Sequence, residues 1–297
     1  MSREILGEGW APYIVRVPET GQFRIYHHQR NGANLQVVMR SSPDGTAWAS
    51  PVVVRSQVEA AGASWGSSVI DRGAGVSDPA KRFKNIHYWI GPGTGGAYVD
   101  NSTDGLVWEA PSSRVTPVVV SDDQLNPFTL PGGGYGLFTK HDIPSDPFPR
   151  ETWVSLGDAD FKNWSTPVKA FWRDPMDPPD LEFYGATQVL VRGDWLITFL
   201  RVLRDDVERG KGYTVLAWAH KDRPTIWTRS REPFFTGCPA TDDQAHAWIY
   251  GVVEHSGTIY FSYSAYADGH KVGPRLVGIA TMPSADLEIG VNNGPGC

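Results

Sequence analysis

Cysteine is nearly absent. The 297 residues hold two, Cys238 and Cys297, so no disulfide framework is written into the chain and two unpaired thiols are expected. Long apolar runs are also missing: none approaches the ~20 residues of a membrane span, and Met1-Ser2-Arg3-Glu4 carries no apolar signal core. The expectation is a soluble product, cytoplasmic or, after processing, secreted or virion-associated, without a membrane partner. Basic clusters are lacking too, and with 27 Lys and Arg against 33 Asp and Glu the net charge is −6, which argues against a nucleic-acid partner. The eight histidines are scattered without metal-ligand spacing, so neither a metal nor a cofactor is expected. Gly132-Gly133-Gly134 opens no helix and is a turn, not a phosphate cradle, and no Ser or Cys stands in a nucleophile-elbow context. Helical periodicity is absent throughout, and nothing specifies an oligomeric state.

What is present is a repeat. Ser42-Pro43-Asp44-Gly45, Ser102-Thr103-Asp104-Gly105, Asp158-Ala159-Asp160, His220-Lys221-Asp222 and Ser284-Ala285-Asp286 follow one another with the last Asp of each 60, 56, 62 and 64 positions apart. A Trp comes four residues later in the first three copies (Trp48, Trp108, Trp164) and five later in the fourth (Trp227). Periods of this length with several strands each point to propeller blades. The expected fold class is therefore all-β: a five-bladed β-propeller with four antiparallel strands per blade. It forms a single domain with blades near 1–60, 61–121, 122–176, 177–239 and 240–297. In this reading the Asp residues cap turns and the Trp residues pack the hairpins, a structural device on the outer edge of each blade.

The expected first strands are 12–17, 67–71, 126–130, 187–192 and 248–254, followed by aromatic and β-branched second strands such as Phe23–His28 and Trp195–Val202. First strands of a propeller line its channel, and the residues at their start crowd one mouth. Blade one brings Glu8 and Trp10 there, blade two Trp65, and blade three Asp123 and Asn126. Blade four brings Glu182 and Tyr184, and blade five Asp243, His246 and Trp248. Four blades thus offer a carboxylate beside aromatics. Acids gathered in a narrow mouth raise one another's pKa, and cleaving a glycosidic bond needs one protonated and one ionised carboxyl between flat rings. Glu182, Asp243, Asp123 and Glu8 are the expected catalytic acids; Trp10, Trp65, Asn126, Tyr184, His246 and Trp248 the expected substrate contacts.

The succession Glu182-Phe183-Tyr184-Gly185, Arg192 to Ile197, Leu216 to Ala219 with Trp227, Arg231 to Phe235, Asp243, Tyr260-Phe261 and Gly278 to Thr281 resembles the five-bladed propeller glycosidases. These are the superfamily of arabinanases, β-xylosidases and invertases. The resemblance is clear over about 175–282 and fainter over 10–170. It implies a glycoside hydrolase with acids at the channel mouth, acting on furanosides such as arabinan. By match to motif positions Glu182 and Asp243 carry over best, with Glu182 as general acid and Asp243 or Asp123 as base or nucleophile. Blade two has no acid at its strand start and blade one has Glu8 where the family places Asp, so the family's role assignment does not transfer whole. A non-catalytic carbohydrate-binding or phage adhesion propeller is the alternative. A six-bladed sialidase, with Arg16, Arg72 and Arg192 as its clamp, is disfavoured by the count of five repeats.

Overall fold

A computed structural model describes residues 2–58, 62–90, 95–109, 117–205, 210–270 and 272–289. It is all-β, with two 3₁₀ turns, Pro79–Lys81 and Ser284–Asp286, beside twenty strands. Strand β1 (Ser2–Glu8) precedes a four-stranded sheet of β2 (Trp10–Arg16), β3 (Phe23–Asn31), β4 (Asn34–Ser42) and β5 (Val52–Val58). Three described strands follow, β6 (Ala63–Asp71), β7 (Phe83–Ile90) and β8 (Ala97–Ser102), then four, β9 (Leu125–Thr129), β10 (Tyr135–Asp142), β11 (Arg150–Gly157) and β12 (Val168–Phe171). The remainder forms a nine-stranded sheet. One part is β13 (Leu181–Ala186), β14 (Leu190–Arg192), β15 (Trp195–Arg204), β16 (Lys211–His220) and β17 (Thr228–Phe235); the other is β18 (His246–His255), β19 (Thr258–Tyr266) and β20 (Leu276–Pro283), with β1 on its edge. A single parallel bridge, Gly212 to His246, joins the two parts. Four equal strands per repeat is therefore not what the described residues show.

Within each group burial falls from the first strand outward. β2, β9 and β13 are buried almost end to end, whereas β5 alternates between exposed and half-buried residues and β12 opens exposed. A strand covered on both faces reads as a continuous apolar run, and one covered on a single face alternates. The inner strands pack in a circuit: β2 against β6, β6 against β9, β9 against β13, β15 against β18, and β18 against β2. Hydrogen bonds stitch it. Tyr13 Oη donates to Pro127 O at 2.9 Å, Gln188 Nε2 to Ile14 O at 3.0 Å and Ser262 Oγ to Pro12 O at 2.8 Å.

Two details depart from the sequence reading. Strand β1 pairs with β20, from Ser2 opposite Thr281 to Glu8 opposite Leu276, so the first residues complete the last group of strands, not the first. The inner strand expected at 187–192 is instead β13, with β14 a short continuation beyond an interruption at Tyr184-Gly185.

The repeated turns fold as expected in the first two copies. Ser42 Oγ accepts from Gly45 N at 2.8 Å while Asp44 Oδ1 accepts from Thr46 N at 2.8 Å and Ala47 N at 3.0 Å, and Ser102 and Asp104 repeat the pattern. In the third copy Asp158, not Asp160, is the acceptor, taking Asp160 N, Lys162 N and Asn163 N. The turns also do more than trim an outer edge. Asp44 O accepts from Tyr260 Oη, Asp104 O from Arg24 Nη1, and Ala159 O from Arg72 Nη2, so each turn latches onto the neighbouring group of strands. Trp108 accordingly packs with Tyr13, Tyr26 and Phe83 from two groups. Cys238 is disulfide-bonded, which overturns the expectation of unpaired thiols; Cys297 lies outside the described residues.

Candidate functional site

The mouth of the circuit is built by one local device used four times. The inner strands carry a residue in the left-handed backbone region, Ala11 (φ 51°), Gly66 (φ 64°) and Gly185 (φ 89°), and Gln124 (φ 71°) holds the same place before β9. In β2, β6 and β13 the pairing register shifts across it. A bulge of this kind re-aims the adjacent side chain. The side chain preceding each one, Trp10, Trp65, Asp123 and Tyr184, lines a common cavity. Ala11 and Gln124 hold that conformation without glycine's freedom, the sort of strain that collects at functional sites.

The cavity holds about 70 Å³ and is lined also by Gln124, Lys140, Arg150, Trp248, Tyr250, Tyr266, His270 and Arg275. Trp10 and Trp65 form one wall, ring centroids 5.8 Å apart, backed by the buried His28 ring stacked at 5.6 and 6.3 Å. Tyr184 and Trp248, 4.6 Å apart, form the other, with Trp248 Nε1 donating to Val202 O at 2.7 Å. The planes within the two pairs are inclined by 43° and 35°, so the rings border one opening at an angle and offer it apolar faces of the kind a sugar ring meets. Beside the cavity, across Trp10 and Arg275, lies a depression of about 380 Å³ that Glu8 lines.

Two ion pairs flank the Tyr184 ring. Lys140 Nζ is 2.5 Å from Asp123 Oδ1 and 5.6 Å from the ring centroid; Arg150 Nη1 is 2.6 Å from Glu182 Oε2, with its Cζ 4.8 Å from the centroid. Glu182 is fully buried behind Arg150 and does not line the cavity. Burial pushes its carboxyl above the ordinary range although Arg150 pulls the other way. Burial likewise pushes the Tyr184 phenol up. Beneath the floor lies Arg201, fully buried. It donates to Tyr184 O (2.8 and 3.0 Å), Asn126 Oδ1 (2.7 Å), Ile249 O (3.3 Å) and Gln124 Oε1 (3.4 Å). No carboxylate among the described residues pairs with it, and burial lowers its pKa to about 10.

The structure thus brings Asp123, Trp10, Trp65, Tyr184 and Trp248 together and separates the other expected residues. Asp243 is not at this cavity. Its carboxylate is held by Arg3 at 2.9 Å, Cys238 N at 2.9 Å and Thr241 Oγ1 at 2.6 Å, beside a different pocket lined by Arg3, Glu4 and Tyr263. Glu8 sits at the rim depression, exposed on β1. His246 is buried behind the wall against Trp248, Tyr266 and His270, and burial keeps it neutral, its pKa well below 6.5. Asn126 lies under the floor on Arg201. The gathering of four acids is replaced by pairing: Asp123 is held by Lys140, Glu182 by Arg150 and Asp243 by Arg3, while Glu8 stands apart at the rim. Lys140 and Arg150 were missed because they come from β10 and β11, outside the inner strands that the sequence reading searched. Among the described residues no group of three or more His, Cys, Asp or Glu is placed to hold a metal ion, and no helix is long and apolar enough to cross a membrane.

No protein-family model and no curated protein matches the chain. Solved structures do. A β-1,2-mannobiose phosphorylase from Listeria innocua, in complex with β-1,2-mannobiose, superposes with TM-score 0.67 at 9% identity over 95% of this chain and 91% of its own. An endo-arabinase from Bacteroides thetaiotaomicron gives 0.61 at 15% identity over 97% and 96%. An N-acetylgalactosamine deacetylase from F. plautii, in complex with blood group B trisaccharide, gives 0.63 at 13% over 93% and 90%. At these identities the likeness shows a shared fold, one that includes the propeller glycoside hydrolases to which the sequence resemblance pointed and, beyond it, phosphorylases.

Proposed function

We propose that this chain is a five-bladed β-propeller enzyme that cleaves a glycosidic bond, with the aromatic cavity as its sugar site. The observation that carries this is Asp123: a carboxylate facing a cavity walled by Trp10, Trp65, Tyr184 and Trp248, the combination that bond needs. In this reading the Asp123 carboxylate, held in place by Lys140, takes a proton from the water that bonds to the anomeric carbon as the glycosidic bond breaks. Glu182 is the second carboxylate, kept behind Arg150 and pushed above the ordinary carboxylate range by burial, and it protonates the leaving oxygen once Arg150 swings aside. Glu8 contacts an outer sugar from the rim, and Asp243 has no part because Arg3 and its own loop consume it. His246 acts as backing to Trp248. The substrate class is a furanoside-containing poly- or oligosaccharide such as arabinan. The fold neighbours support a carbohydrate substrate, since each is named for acting on one.

The test is a panel of furanoside and pyranoside polysaccharides with product sizing, run on wild type, Asp123→Asn and Glu182→Gln. General acid–base catalysis contributes about 10²–10⁴-fold, so Asp123→Asn, which cannot take the proton, loses that much in kcat while sugar binding holds. Wild-type turnover in that variant, or sugar binding by the wild-type protein without any released product, refutes the assignment; the second outcome is what a non-catalytic binding propeller gives.

A further inference from the structure

The cavity has the wrong sign for a site built to handle neutral sugars with two free acids. Among its described lining residues three side chains are cationic, Lys140, Arg150 and Arg275, against one acid, Asp123. Lys140 is matched by Asp123 and Arg150 by Glu182. Two cations remain over. Arg275 has no carboxylate among the described residues within ion-pair distance; its guanidinium lies 5.3 Å over the Trp10 ring, and its carbonyl is fixed by Gly9 N at 2.8 Å. Arg201, beneath the floor, is wholly buried against neutral oxygens and the Tyr250 ring, with no carboxylate among the described residues in ion-pair contact. Buried charges are ordinarily paired, and here the place of the missing anion adjoins the cavity.

A second, independent observation points the same way. Three donor atoms of lining residues, Tyr184 Oη, Trp65 Nε1 and Arg150 Nε, are buried without a hydrogen-bond partner, against one acceptor, Asp123 Oδ1, which has Lys140 as its ion-pair partner. A neutral sugar hydroxyl donates as readily as it accepts, whereas a set made of donors and surplus positive charge selects a group that only accepts. Resting on the proposed sugar site, we infer that the cavity binds an oxyanion: the carboxylate of an acidic sugar, or free inorganic phosphate lodged beside a neutral one. Arg275 and Arg150 contact it, Tyr184 and Trp65 donate to it, and Arg201 raises the potential from below while positioning Gln124 and Tyr184.

Binding tests this apart from turnover, so its failure and that of the glycosidase reading can be told apart. Titration calorimetry at low and high salt would compare D-galacturonate and D-glucuronate with D-galactose and D-glucose, and inorganic phosphate separately, on wild type and Arg275→Gln. Tighter binding of the acid sugars by about tenfold or more, lost in Arg275→Gln and weakened by salt, supports the carboxylate source. Equal binding of acid and neutral sugars, with phosphate bound and its binding lost in Arg275→Gln, supports the phosphate source. Acid and neutral sugars bound alike, insensitive to salt, with no phosphate bound, overturns the inference even if hydrolysis is seen. The wild-type comparison stands by itself should the variant fail to fold.

Discussion

Replacing Arg201 by Met sets two large opposing terms against each other. Removing the guanidinium relieves the cost of holding a cation out of water. The drop of its pKa from 12.5 to about 10 puts that cost at about 3 kcal/mol. It also strands the oxygens that the guanidinium serves. Tyr184 O and Asn126 Oδ1, at 2.7 to 3.0 Å, are well-made bonds whose loss costs about 2 kcal/mol each; Ile249 O and Gln124 Oε1, at 3.3 and 3.4 Å, are longer and cost about 1 each. About 6 less about 3 leaves a net destabilisation of about 3 kcal/mol. For a chain of 297 residues the unfolding entropy makes that a fall in Tm of about 5 °C. Thermal and urea unfolding followed by the fluorescence of the 12 tryptophans would read it. A Met variant as stable as wild type, or more so, would mean that desolvation outweighs the four bonds and that the scaffold does not need this cation.

Other expectations follow from separate features. His27 and His28 are buried and held down to about 4 and 3. Unfolded chains take up those protons below about 6.5 while the folded chain does not, so stability is lost as pH falls; at pH 5 the two together remove about 4 kcal/mol. A Tm that stays flat from pH 7 to 5 would contradict this, and His28→Phe, which keeps the ring but cannot protonate, removes about half of the loss. Gly45 has φ +81° and a Cβ there would stand 2.5 Å from Tyr260 Cε1. Gly45→Ala is expected to cost about 1–3 kcal/mol by unfolding assay, and a neutral result would show that the latch has slack. Trp10→Ala opens one wall of the sugar site and weakens saccharide binding by about 1 kcal/mol or more, visible as a fivefold or larger rise in Kd; unchanged affinity removes that wall from the site.

The all-β architecture was legible because turn chemistry and strand composition repeat together, and Ser42-x-Asp44-Gly45 and Ser102-x-Asp104-Gly105 fold as their residue types dictate. Half of the cavity was legible for a related reason. Trp10-Ala11, Trp65-Gly66 and Tyr184-Gly185 each place a small residue after a ring, where the backbone can turn left-handed and throw the ring inward. The charge of the site was not legible, since pairing is decided across elements distant in sequence. Asp243 looks like a mouth acid until Arg3, 240 positions away, is seen on it. The same holds for Asp123 and Glu182, whose partners Lys140 and Arg150 arrive from neighbouring strands. Local sequence records where a carboxylate begins its strand and not which cation meets it.

Strand β1 sits on the edge of β20, so Ser2–Glu8 waits for a partner strand made long after it. Until β20 has emerged, Ser2–Glu8 has no edge to bind and the ring stands open, with β19 offering a bare border to any passing strand. Closure is then a contact between strands far apart in sequence, Ser2 lying opposite Thr281, and it carries a large loop-entropy penalty. Folding should therefore finish slowly and at one seam, and a protein whose first eight residues are cut away should fray there before anywhere else.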